Sequence, residues 1–414
     1  MTRLVARLHA ARSQRGPERR TVMLLGVLLG FEAVLYSVVT PVLPHYQHQF
    51  GASKPAIGLL AAAYPAGMLP GSLLGGWMAA RSGVRRTTVL GLVLFSVSVA
   101  PFGFGSVLGV LDGLRFVQGI ACGYVWGGGL AWAIASAPAE RRNQTLGSVF
   151  AAALFGTLIG PILGTLALGI GTGVVFASVA VVSLGLAGWA LGFPEPPRAR
   201  LGAGAPLRAV LKSSRVRLGF WLILLEACTV GALGTLLSLR LARFGASGVA
   251  VGITFVVASL FSTAFTPVLG RVVDRRGILR PMSIGLAASA VLVALLPVPQ
   301  SALILAVLTV VTFGGPLIAS TIPAMSLMTD AIEAIGAAVA FGSMLLNVAW
   351  SLGEMLGAPV AATLSHATSD AVPIVLLAVA MLVTLIPVLR LRSAGPARSG
   401  DQPEVGAALV RSSS

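Results

Sequence analysis

Four ionisable residues stand inside apolar stretches of this 414-residue chain: Glu32, Arg115, Glu226 and Glu354. A carboxylate in hydrocarbon is costly as an anion. Such a glutamate is therefore expected to exchange protons, taking one up at one face of a membrane and releasing it at the other. An organic cation competing for the same carboxylate would tie its own movement to that of the proton. An arginine in such a stretch costs roughly 2.5–3.5 kcal/mol on insertion scales, so it is expected to face an interior cavity and to have a partner. Asp112, one helical turn before Arg115, is a candidate partner. Pairing with Arg115, or hydrogen bonds to nearby backbone, would equally account for the glutamates.

Asn347, Trp350 and Glu354 recur at intervals of three and four and share one helix face. Tyr36 lies one turn from Glu32, while Gln118, Tyr124 and Trp126 follow Arg115. Aromatic walls with a few polar groups suit amphiphilic or cationic organic ligands. These six residues are thus the predicted lining of a cavity, with plain helix packing as the alternative for the aromatics.

Other chemistries find little footing. Cys122 and Cys228 fall inside apolar runs, with neither disulfide nor metal spacing. His45, His48 and His366 fall near turns between apolar runs. There is no nucleophile–base pair, no metal cluster and no Gly-x-x-x-x-Gly-Lys-Ser/Thr phosphate loop, so no enzyme, no cofactor, no metal and no ATP dependence is expected. The net charge of +16 would suggest nucleic acid if the cations shared one surface. They lie instead in short clusters between apolar runs, and no nucleic-acid partner is expected.

The elements that must position these residues are membrane spans. The chain is 56% hydrophobic and 10% charged, against roughly 25% charged in soluble domains; lipid must cover the excess. Runs of about 20 apolar residues predict helices near 21–43, 54–79, 87–105, 107–136, 144–169, 172–193, 217–242, 247–271, 280–299, 301–328, 334–364 and 371–391. Arg19-Arg20 ahead of the first run superficially matches a twin-arginine signal. The run is too long for one and lacks a small-residue cleavage site, so it reads as an uncleaved span. Segments on the N-terminal side hold 25 of the 29 Lys and Arg. By the positive-inside rule both termini are cytoplasmic. The expected organisation is a basic tail (1–20), a six-helix bundle (21–193), a Pro- and Arg-rich linker (194–216), a second bundle (217–391) and a tail (392–414). Arg-, Ala- and Gly-rich usage suggests a bacterial protein of the inner membrane.

The halves repeat. Gly76-Trp-Met-Ala-Ala80-Arg81-Ser-Gly83-Val-Arg85-Arg86 follows the second span, and Gly270-Arg-Val-Val-Asp274-Arg275-Arg-Gly277-Ile-Leu-Arg280 follows the eighth. Gly76 and Gly270, and also Glu32 and Glu226, are each 194 residues apart. Repeats of this kind accompany alternating access, in which one bundle rocks against the other around a central site.

On these residues the chain resembles the major facilitator superfamily across essentially all twelve spans. Both glycine–arginine segments resemble that family's loop motif. The resemblance implies a latch, in which the basic residues pair with an acidic group or a helix C-terminus when the cytoplasmic side closes. Ala80 replaces the usual aspartate, which Asp274 retains. Arg115-Phe-Val-Gln118-Gly119 is similar to the family's Arg-x-x-Gln-Gly segment. Gly156-Thr-Leu-Ile-Gly160-Pro161-Ile-Leu-Gly164 is similar to the motif of drug:proton antiporters, where small residues and a proline bend and pack a span at the interface of the halves; Gly353-x-x-x-Gly357-Ala-Pro359 is related. Gly30-Phe-Glu32 with Pro41, Pro44 and Tyr46 looks like the opening helix of vesicular-amine-transporter-like antiporters.

The resemblance implies an all-α membrane fold of twelve helices in two six-helix pseudo-symmetric bundles. It also implies a monomeric, proton-coupled exporter of small lipophilic or cationic molecules, with the substrate, protons and the lipid bilayer as partners. An uptake symporter for a sugar or organic acid is the rival on the same fold, and a non-transport receptor or structural protein the remote one.

Overall fold

A computed structural model describes residues 2–137, 142–196, 210, 212–335 and 339–393. Side chains before Arg19 and a few within the helices, Asp274 among them, lie outside this description. So do most of the predicted linker and nearly all of the C-terminal tail.

Every described element is helical: α1 (Thr2–Ser37), α2 (Leu43–Phe50), α3 (Lys54–Ser82), α4 (Val84–Phe102), α5 (Leu108–Ser136), α6 (Arg142–Ile170), α7 (Thr172–Leu191), α8 (Ser214–Arg243), α9 (Gly248–Arg276), α10 (Leu279–Leu295), α11 (Ala302–Gly314), α12 (Pro316–Ala334), α13 (Val339–Ala367) and α14 (Ala371–Ser393). Among the described residues, ten helical segments are long and apolar enough to cross a membrane. The Arg115-bearing α5 and the shorter apolar α10 complete the predicted twelve. Side chains such as Val97, Val181 and Leu303 are about two-thirds or more exposed, as residues facing lipid tails must be.

Two predicted helices are broken. The first span ends as a regular helix at Ser37, passes through a 3-10 turn at Thr40–Val42 and resumes as α2, because Pro41 and Pro44 remove two N–H donors from the ladder. The tenth divides at Gly315 between α11 and α12, where Pro316 starts the new helix.

The repeat is visible as packing register. A Cβ on Gly156 or Gly160 of α6 would sit 2.0 Å from the Gly30 carbonyl and 2.4 Å from that of Val34 in α1. A Cβ on Gly353 or Gly357 of α13 would sit 2.3 Å from the Leu224 carbonyl and 2.2 Å from that of Cys228 in α8. Acceptors correspond at the predicted offset of 194 residues (224 − 30, 228 − 34); the glycines correspond at 197 (353 − 156, 357 − 160). The second half therefore carries three extra residues between its first and fifth spans, and still brings the same backbones together. One buried apolar cluster is drawn wholly from residues 210–388. Two others come from residues 24–190, with Leu239 the exception.

The halves meet through α3 against α13 and α6 against α9. A Cβ on Gly58 would lie 3.0 Å from Pro359 Cα, and one on Gly252 would overlap the Thr165 hydroxyl. The small-residue motif of α6 thus docks mainly onto α1 of its own half, while α6 itself lies at the interface of the halves. The motif's neighbours Thr165 and Leu168 make the crossing contacts.

Candidate functional site

Arg115 is 3% exposed. Its Nη1 donates to the Gln118 Oε1 at 2.9 Å and to the Leu35 carbonyl at 3.3 Å, and its Nη2 donates to the Tyr36 carbonyl at 3.2 Å. Those carbonyls belong to the last turn of α1, where the helix breaks ahead of Pro41 and its C-terminal acceptors are free to be capped by a cation. The guanidinium also lies 4.3 Å from the centre of the Tyr64 ring. Gly119 makes this possible, since a Cβ there would overlap the Tyr64 carbonyl at 1.9 Å; without one, α5 approaches α3 closely enough to stack the pair. Gln118 completes the arrangement by donating from Nε2 to the Ser98 carbonyl at 3.3 Å.

The candidate ion pairs of Arg115 are not formed. Asp112 leaves Oδ1 buried without a hydrogen-bond partner, and no carboxylate forms an ion pair with Arg115 among the described residues. Two carbonyls, an amide oxygen and a ring face hold the two terminal nitrogens of its planar fork, while Nε is buried without a hydrogen-bond partner.

Glu32 is buried beside this cluster and accepts from the Tyr64 hydroxyl and the Trp126 indole N–H. Tyr64 therefore stands between Glu32 and Arg115, giving its hydroxyl to one and its ring to the other. Glu226 is buried in α8 and accepts from Ser320 Oγ of α12 at 3.3 Å. Glu354, buried in α13, accepts from the Tyr36 hydroxyl of α1, a hydrogen bond between the halves. Trp350 Nε1 reaches the same hydroxyl at 3.3 Å.

A cavity of about 200 Å³ lies between the halves. Tyr36, Tyr64 and Arg115 form one wall, and Phe255, Phe313 and Glu354 the other, with Pro161 at its edge. Of the predicted lining, Tyr36 faces this space. Gln118 is spent on Arg115, and Trp126 on Glu32 and a tilted contact with Phe150. Tyr124 packs where α5 meets Gly75 and Gly91; Trp350 lies behind Tyr36, and Asn347 is half-buried away from the cavity. Glu32 and Glu226 also lie outside the lining, each held inside its own half. Among the four ionisable residues, Arg115 and Glu354 reach the cavity.

The loop motifs act locally. Arg85 donates to the Phe193 carbonyl at 2.7 Å, and its Nε lies 3.7 Å from Glu195, whose other oxygen accepts from the Arg85 backbone N–H. Gly83 adopts φ +102°, and a Cβ there would strike the Glu195 carboxylate. The predicted pairing with an acidic group and a helix C-terminus is present, but it joins α4 to the end of α7 within one half. Arg81 stacks over the exposed Trp77 at 4.6 Å, and a Cβ added at Gly76 or Gly270 would meet open space. In the second half Gly277 has φ +74° and Arg275 is exposed; Asp274 lies outside the described side chains.

A clasp that the sequence did not reveal closes the opposite face. Asp370, between α13 and α14, accepts from Lys54 Nζ of α3 at 2.5 Å, from Arg243 of α8 and from Ser365. Burial would raise the Asp370 carboxyl; hydrogen bonds from Lys54 and Ser365, with the charges of Lys54 and Arg243, outweigh it and hold the group below the usual carboxylate range. The missed signal is that Asp370 lies on the face where the sequence places just three cations, Lys54, Arg240 and Arg243. Tyr64 was missed because a tyrosine in an apolar run reads as packing.

A family model for the Major Facilitator Superfamily matches residues 22–354. Among curated proteins, the chain is 26% identical over 168 residues to Multidrug resistance protein 2 of Bacillus subtilis, covering 40% of this chain and 42% of that protein. It is 32% identical over 127 residues to Quinolone resistance protein NorA of Staphylococcus aureus, covering 31% and 33% respectively. The chain thus spans less than half the length of these relatives. Among solved structures, the nucleoside transporter NupG superimposes with TM-score 0.69 at 14% identity over 90% of this chain and 99% of that one. A bacterial homolog of the human lysosomal transporter Spinster, in an inward-facing and occupied conformation, gives 0.71 at 14% identity over 91% and 96%.

Proposed function

The chain belongs to the Major Facilitator Superfamily and is a multi-pass membrane transporter, and on that footing we propose that it exports small lipophilic or cationic molecules in exchange for protons. The observation that carries this reading is the cavity between the halves, where the Glu354 carboxyl meets aromatic walls and is held by Tyr36 of the opposite half. A cation entering this space finds one carboxyl oxygen source and several ring faces. The proton leaves Glu354 as the cation arrives and returns when it departs, which makes the exchange obligatory. Glu32 serves as a second proton carrier, communicating with the cavity through Tyr64 and Arg115. Glu226 supports the second half through Ser320. The names of the curated relatives, which concern multidrug and quinolone resistance, support drug efflux as the physiological task.

Arginine placement supports a bacterial inner-membrane location with both termini in the cytoplasm. The face clasped by Asp370 is then the outer one. The protein is taken to work as a monomer, with the substrate, protons and lipid as its partners.

The test is transport by purified protein in liposomes carrying an imposed pH gradient, screened with cationic dyes. Wild type should accumulate dye against its gradient. Glu354→Gln should bind a cationic dye about 100-fold more weakly, the equivalent of losing ~2.7 kcal/mol of a charge-paired contact, while a neutral analogue binds as before. Full proton-driven dye movement by Glu354→Gln would remove the proposal.

A further inference from the structure

At the opposite end from the Asp370 clasp, three guanidinium groups converge with no acidic partner among the described residues. Arg276 ends α9, Arg280 lies in the first turn of α10, and Arg392 is in the last turn of α14; with Val272, Pro281 and Ile284 they line a second cavity of about 270 Å³. No carboxylate pairs with any of the three among the described residues; Arg392 approaches only the Ser283 hydroxyl, at 3.5 Å. Like charges gather at one point at a cost in free energy, which an anion would relieve.

Two further observations say what kind of anion. The cavity is built on the N-terminus of α10, which has no side-chain cap and no acidic residue in its first turn. Pro281 has no N–H, so the N–H groups of Leu279 and Arg280 and the positive end of the dipole add to the arginines, the arrangement that suits a phosphate. Ile284, one turn further into the helix from Arg280, is 66% exposed, and Ile386 of α14 is half-exposed. The cavity thus has a cationic rim and an apolar edge running along the lipid-facing surface. A free phosphate would use the rim alone. A phospholipid would use both.

We propose that this cavity is a binding site for an anionic phospholipid, its phosphate held by Arg276, Arg280 and Arg392 and an acyl chain lying along Ile284. A lipid there ties α9, α10 and α14 together at the surface where the second half must move against the membrane. It would make the transporter sensitive to the anionic lipid content of its membrane.

The test uses full-length protein in detergent, with lipid retention measured by native mass spectrometry. Phosphatidylglycerol is the probe and phosphatidylcholine the zwitterionic reference. Wild type should retain phosphatidylglycerol preferentially. Each arginine near an anionic surface contributes about fivefold, so Arg280→Gln/Arg392→Gln should weaken retention about 25-fold. The control Arg271→Gln/Arg390→Gln removes the same charge from the same face outside the cavity and should change it less than about twofold. Ile284→Ser should weaken lipid retention but leave any binding of inorganic phosphate intact. Unchanged melting temperatures would confirm that each variant is folded. Equal losses in the two double variants would reduce the effect to diffuse surface charge and overturn the site. Displacement of the lipid by millimolar inorganic phosphate, with Ile284→Ser silent, would assign the cavity to free phosphate and overturn the lipid reading.

Discussion

The two halves of this protein share a scaffold and differ in chemistry. Gly160 against Val34 and Gly357 against Cys228 are the same helix–helix contact made twice. The residues mounted on that scaffold have diverged. Glu32 receives hydrogen bonds from a tyrosine and a tryptophan, with an arginine stacked on the far side of the tyrosine; its counterpart Glu226 has the more distant Ser320 hydroxyl. At the glycine offset of 197, Glu354 corresponds to Thr157 (354 − 157), and both line the central cavity. The duplicated parts are those that let helices approach and slide. The parts that differ are the ones that surround the buried glutamates and line the central cavity, and a cavity built from two unlike walls needs that freedom.

The comparison predicts its largest effect at the glutamates. Glu32→Ala removes the acceptor of a buried donor, Tyr64, and of a half-buried one, Trp126. Leaving each unsatisfied costs about 1–3 kcal/mol, so a total loss of about 4 kcal/mol is expected in denaturation of the purified protein. Glu226→Ala gives up one 3.3 Å bond and should cost about 1 kcal/mol beyond its lost packing. Equal losses at the two sites would show that the difference in environment is without energetic weight.

Next come the glycines, which test the shared part. Gly160→Ala and Gly357→Ala each push a methyl group into backbone of the neighbouring span, and overpacking of this kind costs about 1–3 kcal/mol. Gly109→Ala and Gly169→Ala, with open space around them, should be neutral. A large effect in one half and none in the other would break the equivalence that the register implies.

How much of this was legible in the chain follows from what each feature depends on. The twelve spans, their order and the repeat depend on local hydropathy and on spacing, which the sequence displays directly. The helix breaks at Pro41 and Pro316 turn on donors the chain lacks, and the prolines marked the first, although it was predicted as unbroken. Partners are a different matter. Arg115 signals that it needs a partner, but whether this is Asp112, a glutamate or the end of α1 is decided by how closely α5 approaches α3. That distance is set by Gly119 meeting Tyr64, two residues 55 positions apart. The Asp370 clasp joins residues from three helices, and its acid is unremarkable in its own neighbourhood.

A smaller effect is expected where the halves are tied at the surface. Asp370→Asn should destabilise the clasped face by about 1–2 kcal/mol, since its partners are partly solvated. Asp370 is held below the usual carboxylate range in the folded protein. Its contribution is therefore complete above that range and is lost as pH falls through the lowered value. Distances between spin labels on α3 and α14 near this face should stay constant from neutral pH down through the ordinary carboxylate range. Widening should begin only in stronger acid. In Asp370→Asn the wider separation should be present at neutral pH and should not change further.

The smallest effect distinguishes a tie within a half from a tie between halves. Arg85 and Glu195 are 26% and 29% exposed along their side chains and 3.7 Å apart at their nearest charged atoms. A solvated pair of this kind is worth about 0.5 kcal/mol, and Arg85 keeps the Phe193 carbonyl when the acid is removed. Glu195→Gln should thus shift stability by less than about 1 kcal/mol and leave the label distances across the clasped face unchanged, because Glu195 and Arg85 ride on the same bundle. Dye transport in the liposome assay should also persist. If Glu195→Gln moved the conformational equilibrium as far as Asp370→Asn does, the pair would have to change partners during the cycle, and the loop motif of the first half would be a latch between bundles after all.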